Sequence, residues 1–405
     1  MINLTSRRAA LVLAGSAVAL VGGMLPAQAT TTGWRTVAKV SVKGDETLLT
    51  GVDAVAKSDA WAVGGAVTSR GTKPIGIVEH WTGRSWRRVT LPAAVAKAWN
   101  RYSGLAFPVV GASSASNVWA FSLNLANGRG SDGYLRLNGR KWTVGTLPGT
   151  SVASGHLVLI TTTRVISSKD VWVFGGKLNP TATTPAFTPY AAQYNGHKWT
   201  VKSIPGAGAV VDVSKISAGN MWAAIGTPQL FAFPGVAAST PSVAHWNGKA
   251  WAAAAVQPTS SELPAGATLG SILASRGGHV WIGGGATNSK GGTTEFAAEL
   301  TGSTWTVSTL PVTATASDYA LTSMAPDGHG GIWAAAGGLA TTKVRIWHLT
   351  GGAWTGPVSP SFGSSQRTLF QLSTVPGTSS VWGVGAVARG ASTDGLLALV
   401  GPTPR

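Results

Sequence analysis

Tryptophan recurs at a nearly constant interval along this 405-residue chain. The members of one series lie 49 to 59 residues apart: Trp61, Trp119, Trp172, Trp222, Trp281, Trp333 and Trp382. A second series follows the first by roughly 20 to 30 residues, each member three residues after a glycine: Trp86, Trp142, Trp199, Trp251, Trp305 and Trp354. Two interlocked series with one period indicate an internal repeat of about 50 residues, a length typical of β-propeller blades.

Each repeat predicts four short strands. In the first repeat, apolar strands over residues 48–56 and 60–64 are followed by strands over residues 77–81 and 86–90. Asp or Asn stands two residues before the first-series tryptophan in four repeats, and Asn-Gly or Thr-Gly precedes the second-series tryptophan in six. These residues favour tight turns. The chain is therefore predicted to be all-β, with four antiparallel strands in each unit.

The two ends of the chain complement each other. The seventh repeat stops after a third strand over residues 396–400, whereas residues 33–40 read as an outer strand with no strands before it. Pairing of this strand with the last unit would leave only short open edges. We therefore predict a seven-bladed β-propeller closed by the N-terminal strand joining the last blade.

The first 29 residues have the pattern of a signal peptide. Arg7 and Arg8 precede an apolar run over residues 9–25, and Ala27-Gln28-Ala29 is a small-residue cleavage site. We predict export by the Sec or the twin-arginine route, and a single propeller domain over residues 30–405 that is secreted, either extracellular or associated with the cell envelope. The absence of cysteine excludes disulfides and thiol catalysis.

Residues 167–175 and 245–251 carry the repeat motif, Ser-x-x-Asp-x-Trp at its start and His-Trp-Asn-Gly-x-x-Trp at its end. This motif resembles the tryptophan-rich repeats of uncharacterised bacterial secreted β-propellers, which are distantly similar to kelch and galactose-oxidase-type propellers. Residues 327–333 also resemble repeats in the sensor propellers of bacterial two-component regulators. The resemblance implies the fold and no particular reaction. Copper oxidation of the galactose-oxidase type requires a tyrosine–cysteine crosslink, which a chain without cysteine cannot form.

The chain is strongly basic, with a net charge of +17 that falls to +15 once the leader is removed. Eight cations recur in or just after the third turn of the first four repeats, and we call them the basic arc: Arg84, Arg87, Arg88, Arg140, Lys141, Lys198, Lys202 and Lys249. Cations on outer strands deter edge-to-edge pairing, which is one interpretation. The other is contact with an anionic cell-wall polymer or membrane surface.

One aromatic segment falls outside the repeat register. Trp99, Asn100, Arg101 and Tyr102 lie in the connection between the first and second blades. An aromatic pair flanking an arginine can stack on a sugar and hold an anionic group. The alternative is that Trp99 and Tyr102 fold back as a lid over the blade edge.

Few residues are candidates for chemistry. His80, His245 and His348 share one third-strand position and read as a polar slot of the scaffold, whereas His156 is out of register and is a candidate ligand contact. Seven carboxylates read as solvated loop acids, two of which could in principle form a glycosidase pair: Asp45, Glu46, Asp132, Glu262, Glu295, Asp318 and Asp394. We predict no metal and no cofactor.

These patterns predict a secreted, non-catalytic binding protein. Its ligand is expected to be a glycan, an anionic cell-wall polymer or an extracellular protein, recognised at the face that carries the long loops. The alternatives are a carbohydrate-active hydrolase or lyase at the tunnel mouth, and a purely structural module of the envelope. Nucleic acid is not an expected partner, the mature chain has no transmembrane segment, and a monomer is the default.

Overall fold

The computed structural model describes residues 33–42, 45–68, 74–102, 107–122, 132–151, 157–179, 182–228, 235–287, 293–308, 310–311, 320–337, 343–364, 367–390 and 392–404. The predicted leader, His156 and Asp318 lie outside these ranges. No helix among the described residues is long and apolar enough to cross a membrane.

Seven four-stranded antiparallel sheets make up the fold, and the predicted seven-bladed β-propeller is confirmed. From the inner to the outer strand, the first four blades are β2 (Asp45–Ala56), β3 (Asp59–Thr68), β4 (Pro74–Trp81) and β5 (Trp86–Arg88); β6 (Val109–Ser114), β7 (Asn117–Ser122), β8 (Gly133–Asn138) and β9 (Lys141–Thr146); β10 (Leu157–Ser167), β11 (Asp170–Leu178), β12 (Phe187–Tyr194) and β13 (Trp199–Val201); and β14 (Ala209–Ser217), β15 (Asn220–Gly226), β16 (Ser242–Trp246) and β17 (Trp251–Ala253).

The remaining three blades follow the same order. They are β18 (Thr268–Ala274), β19 (Val280–Thr287), β20 (Thr293–Thr301) and β21 (Thr304–Ser308); β22 (Leu321–Pro326), β23 (Ile332–Ala336), β24 (Arg345–Thr350) and β25 (Ala353–Val358); and β26 (Arg367–Thr374), β27 (Val381–Arg389), β28 (Ser392–Val400) and β1 (Arg35–Val40). Because the strands are antiparallel, the turns after the first and third strands lie at one end, which we call the turn face. The loops after the second strands and the connections between blades lie at the other end, the loop face.

The N-terminal strand forms the outer edge of the seventh sheet. β1 runs antiparallel to β28, from Arg35 opposite Leu399 to Val40 opposite Gly395. At the opposite edge of this sheet, the inner strand β26 contacts β2 of the first blade. Residues from the two ends of the chain therefore share one sheet.

Edge-to-face tryptophan pairs join neighbouring blades at six of the seven junctions. The outer-strand tryptophan of one blade packs against the second-strand tryptophan of the preceding blade, as in Trp86 on Trp382, with centroids 5.0 Å apart and planes at 79°. Trp34, which directly precedes β1, makes the same contact with Trp333 at 5.6 Å and 86°. The other pairs are Trp142 on Trp61, Trp199 on Trp119, Trp251 on Trp172 and Trp354 on Trp281. Trp34 thus supplies the outer-strand tryptophan of the seventh blade.

In four blades the glycine three residues after the first-series tryptophan lies against a β-bulge in the inner strand. In six inner strands the register shifts by one residue near the middle, as between Leu49 and Gly51. The bulge brings the carbonyl of Leu48 so close to Gly64 that a Cβ there would overlap its oxygen. Gly175, Gly284 and Gly385 meet an inner-strand carbonyl in the same way. The Trp-x-x-Gly motif is therefore paired with a bulge on the adjacent strand.

One helix was not predicted. α1 (Ala93–Trp99) occupies the connection between the first two blades and is the one α-helix among the described residues. Four of its seven residues are alanine, the residue with the highest helix propensity, and Pro92 precedes it. The segment is too short for its apolar residues to show a helical period.

Trp34→Ala tests the contribution of the tryptophan pairs to stability. Trp34 is 7 % exposed, so removing its indole leaves a cavity beside Trp333, and we expect the free energy of unfolding to fall by about 3–5 kcal/mol. Urea unfolding followed by tryptophan fluorescence and circular dichroism measures the change. Val201→Ala on the outer strand β13, where Val201 is 48 % exposed, is the matched control and should change stability by less than about 0.5 kcal/mol. Equal effects of the two substitutions would contradict a structural role for Trp34.

Candidate functional site

Trp99 has no solvent-exposed surface. Its side chain lies in the core between the first and second blades, in one cluster with Trp61 and Val110. An indole without exposed surface cannot stack on a ligand, so in this structure Trp99 is a packing residue at the end of α1. The predicted aromatic platform around Arg101 is therefore not formed.

Hydrogen bonds made by the residues after Trp99 join the connection between the first two blades to both of them. Asn100 Oδ1 accepts a hydrogen bond from the Gly76 backbone N–H at 2.8 Å, at the start of β4. The backbone carbonyl of Tyr102 accepts one from Ser122 Oγ at 2.8 Å. Of the four predicted contact residues, Arg101 alone has an exposed side chain. His156, the fifth candidate, lies outside the described residues.

The three register histidines belong to a repeated side-chain unit. His80 Nε2 lies 2.8 Å from Asp59 Oδ1 in the turn after the inner strand, and its ring stacks on Trp61 with centroids 3.9 Å apart. His245 repeats the unit with Asn220 and Trp222, and His348 repeats it with Asp327 and Trp333. The predicted polar slot is thus a hydrogen bond beneath the second-strand tryptophan. For His80 and His245 the partner is the Asx residue two positions before the tryptophan, whereas Asp327, the partner of His348, lies six residues before Trp333.

Four of the seven candidate carboxylates, Glu46, Asp132, Glu295 and Asp394, are buried or lie within strands, so reading these four as solvated loop acids was wrong. Glu295 lies in β20, is buried, and pairs with Arg345 at 3.1 Å, and Asp394 in β28 pairs with Arg389 at 2.6 Å. Glu262 Oε1 accepts the Trp305 backbone N–H at 3.0 Å. Asp132 is buried and Glu46 lies within β2. Partial burial raises the pKa of Glu46. Glu46, Glu295 and Asp394 were expected in loops, but the strands that contain them extend further than predicted.

The basic arc lies on the turn face and along the outer strands next to it. Seven of its eight side chains are exposed, and Lys202 is partly buried. Arg88 Nε contacts Glu79 Oε1 at 2.6 Å, the one carboxylate contact of an arc residue among the described ion pairs. Four more exposed cations lie nearer the axis, in the turns after the inner strands or just before them: Lys57, Lys169, Lys215 and Arg276. We call these twelve residues together the cationic face.

The acids at the same end of the blades are engaged in hydrogen bonds. Asp59, Asp327 and Glu299 contact His80, His348 and His279, respectively. Asp170 Oδ1 accepts from Gln193 Nε2 at 2.9 Å. Most cations of the face therefore have no carboxylate beside them in the described part of the chain, and the local field is positive.

The inner strands of all seven blades surround an axial cavity of about 100 Å³. The bulge residue of six blades lines it: Thr50, Thr161, Val211, Gly270, Thr322 and Phe370. Apolar groups from the starts of the inner strands and the loops before them complete the wall, including Phe107, Leu159 and Leu269. The cavity lies toward the loop face because these residues occupy the first halves of the inner strands.

Side chains next to four of the bulges join one inner strand to the inner strand of the following blade. Asp212, Ser271, Ser323 and Gln371 each accept a hydrogen bond from a backbone N–H of the next blade, at 2.9 to 3.1 Å. The last of these runs from Val52 N–H in the first blade to Gln371 Oε1 in the seventh. These acceptors satisfy N–H groups at the inner edge, where no further strand is available.

A group of charges lies on the inner strands at the turn-face end of the cavity, and Asp212 of this group also lines the cavity. Arg164 donates from Nη2 to Asp212 Oδ1 at 3.0 Å, and Asp53 Oδ2 accepts the Ala112 backbone N–H at 2.8 Å. Burial raises the pKa of Asp53 to about 6, although the Ala112 N–H and the charges of Arg164 and Lys215 act in the opposite direction. Burial also raises the pKa of Asp212, against the effect of Arg164. Among the described residues, no group of three or more His, Cys, Asp or Glu side chains could hold a metal ion.

Comparisons with known proteins show the fold alone. No model of a known protein family matches the chain, and no curated protein matches it. YCF48 bound to a D1 peptide superposes with a TM-score of 0.53 at 11% identity, covering 92% of this chain and 98% of that one. A PL25 ulvan lyase gives 0.52 at 10% identity, with 90% and 96% covered, and the polysaccharide lyase Uly1 gives 0.51 at 10%, with 90% and 99%. The kelch-like resemblance has no support from a family model.

Asp53→Asn tests the charge at the inner strands. The folded protein disfavours the ionised carboxyl, so the destabilising effect of Asp53 is present above pH 6 and disappears as the pH falls below the ordinary value of 3.8. Asparagine keeps an acceptor for the Ala112 N–H without a charge. We expect the variant to gain about 1–3 kcal/mol relative to the parent between pH 4 and pH 8. Urea unfolding at both pH values measures this difference, and a pH-independent difference would contradict it.

Proposed function

We propose that this protein is a non-catalytic binding module that attaches to an anionic polymer through its cationic face. The observation that carries the proposal is the concentration of exposed cations on consecutive blades at one end of the propeller, where the neighbouring acids are already engaged. A field of one sign over a broad surface attracts a polyelectrolyte of the opposite sign. Predicted export would place such a polymer outside the cell, in the wall or envelope.

The fold does not distinguish a binding module from an enzyme, so this choice depends on the chain's own residues. Among its structural neighbours, one is described with a bound peptide and others are described as polysaccharide lyases. The lyase or hydrolase alternative was based on loop carboxylates and His156. Of these, Glu295, Asp394 and Glu262 are held by structural partners, and His156 lies outside the described residues. Attachment through exposed cations needs no such group.

The layout of the face favours an extended ligand. Arg84, Arg140 and Lys198 occupy equivalent third turns in three successive blades, and each is exposed. Lys57 and Lys169 lie nearer the axis on the same face. A flexible chain with repeated phosphates or carboxylates can contact several of these sites together, so that weak single contacts add through effective concentration.

Binding of poly(glycerol phosphate) at two salt concentrations tests this function. We expect the parent protein to bind at 20 mM NaCl and to lose at least about tenfold in affinity at 300 mM, because ions screen exposed charges. The triple variant Arg84→Glu, Arg140→Glu, Lys198→Glu should lose at least about tenfold at 20 mM. Dextran, a neutral polymer, should not bind.

The matched control places the same charge change on the loop face. Lys97, Arg101 and Lys343 are exposed there, and the variant Lys97→Glu, Arg101→Glu, Lys343→Glu should bind within about threefold of the parent. Circular dichroism and urea unfolding check that both triple variants fold. No binding by the parent, or equal losses in the two variants, would overturn the proposal. A loss confined to the control would assign binding to the loop face and to Arg101.

A further inference from the structure

The axial cavity offers a specific set of hydrogen-bonding groups beside apolar wall. Gln371 lines the cavity and uses Oε1 to accept the Val52 N–H at 2.9 Å, which leaves its Nε2 group as a donor. Thr50 in the adjacent blade also lines the cavity, and its hydroxyl donates to the Pro108 carbonyl at 2.7 Å. A hydroxyl has one proton, so Thr50 Oγ1 is left as an acceptor. The Thr161 hydroxyl donates in the same way to the Val210 carbonyl at 2.6 Å, so its oxygen is also left as an acceptor.

Aromatic rings lie in the same sector of the wall. Phe370 precedes Gln371 in the seventh blade, and Phe107 lies just before the inner strand of the second blade. Their rings meet edge to face with centroids 5.5 Å apart and planes at 81°. A ligand group that enters here meets an amide donor, hydroxyl acceptors and an apolar surface.

We propose that the axial cavity binds the acetamido group of an N-acetylated amino sugar. The carbonyl oxygen of such a group accepts from Gln371 Nε2, its N–H donates to a threonine hydroxyl such as that of Thr50, and its methyl packs on Phe107 and Phe370. Each of the three parts of the ligand group matches one kind of group in the wall. The assignment is independent of the cationic face, which lies at the other end of the blades.

Other ligand groups match this wall less well. A carboxylate would approach Asp212, whose charge already lines the cavity and is paired with Arg164. An ammonium would face the Gln371 donor and an apolar surface with no free carboxylate, because both oxygens of Asp212 already accept hydrogen bonds. A bare sugar hydroxyl could bond to the same partners but would leave the phenylalanine surface uncovered.

Size agrees with the acetamido group. One water molecule needs roughly 10–15 Å³ of cavity volume, so a cavity of about 100 Å³ has room for a group of several heavy atoms. An acetamido group has four heavy atoms and is within this limit.

Binding of N,N′-diacetylchitobiose tests the proposal. Calorimetry or ligand-observed NMR should show millimolar or tighter binding to the parent protein. Binding should be at least about tenfold weaker for cellobiose, which has a hydroxyl in place of the acetamido group, and for deacetylated chitobiose. Because no ionic contact is involved, the affinity should change by less than about twofold between 20 and 300 mM NaCl.

Two variants separate this role from a structural one. Gln371→Glu keeps an acceptor for Val52 N–H but removes the Nε2 donor, and should weaken binding at least about tenfold while the protein remains folded. Val211→Phe fills the cavity from the fourth blade and should abolish binding, with folding checked by circular dichroism. Unchanged affinity in both variants, equal binding of cellobiose, or no binding by the parent at about 10 mM would overturn the proposal. The turn-face triple variant should bind the disaccharide like the parent, so failure of one proposal is distinguishable from failure of the other.

Discussion

The contact between tryptophans of neighbouring blades is the interaction on which the rest of the structure depends. Each sheet is narrow, and a single four-stranded sheet leaves apolar residues on both faces that only another sheet can cover. The outer-strand indole of one blade, set edge-on against the second-strand indole of the previous blade, fixes the spacing and angle between sheets. Trp34 and Trp86 extend this contact to both sides of the seventh blade, where strands from the two ends of the chain meet.

The same periodicity made most of the fold predictable from the sequence. Seven tryptophans at a regular interval, with turn residues at fixed distances, were enough for the number of blades and the strand order within them. Local features that occur once were missed. α1 has no repeat counterpart, and its seven residues are too few to show amphipathic spacing. Trp99 looked available because it broke the register, whereas an out-of-register tryptophan can equally fill a gap that one connection leaves between two blades.

The candidate sites differ in how far the sequence revealed them. The short turns between propeller strands lie at the surface, so cations in them are exposed and the basic arc could be identified from the repeat alone. The four further cations became part of the same face only when the turns after the first and third strands were seen at one end. The axial cavity could not be predicted, because it depends on a bulge that shifts six of the inner strands by one residue and so changes which side chain reaches the axis. Gln371 has no unusual sequence context, and its significance comes from its neighbours across two blades.

The hydrogen bonds along the axis limit how such a protein can change its size in evolution. Each of these acceptors binds a backbone N–H of the following blade. A repeat therefore contacts one neighbour through its acceptor side chain and the other through its backbone N–H. Duplicating or deleting one repeat would join an acceptor to an N–H that evolved beside another side chain. Gain or loss of a whole unit therefore requires coordinated substitutions at two junctions, which favours divergence of loops and turns on a constant sevenfold frame.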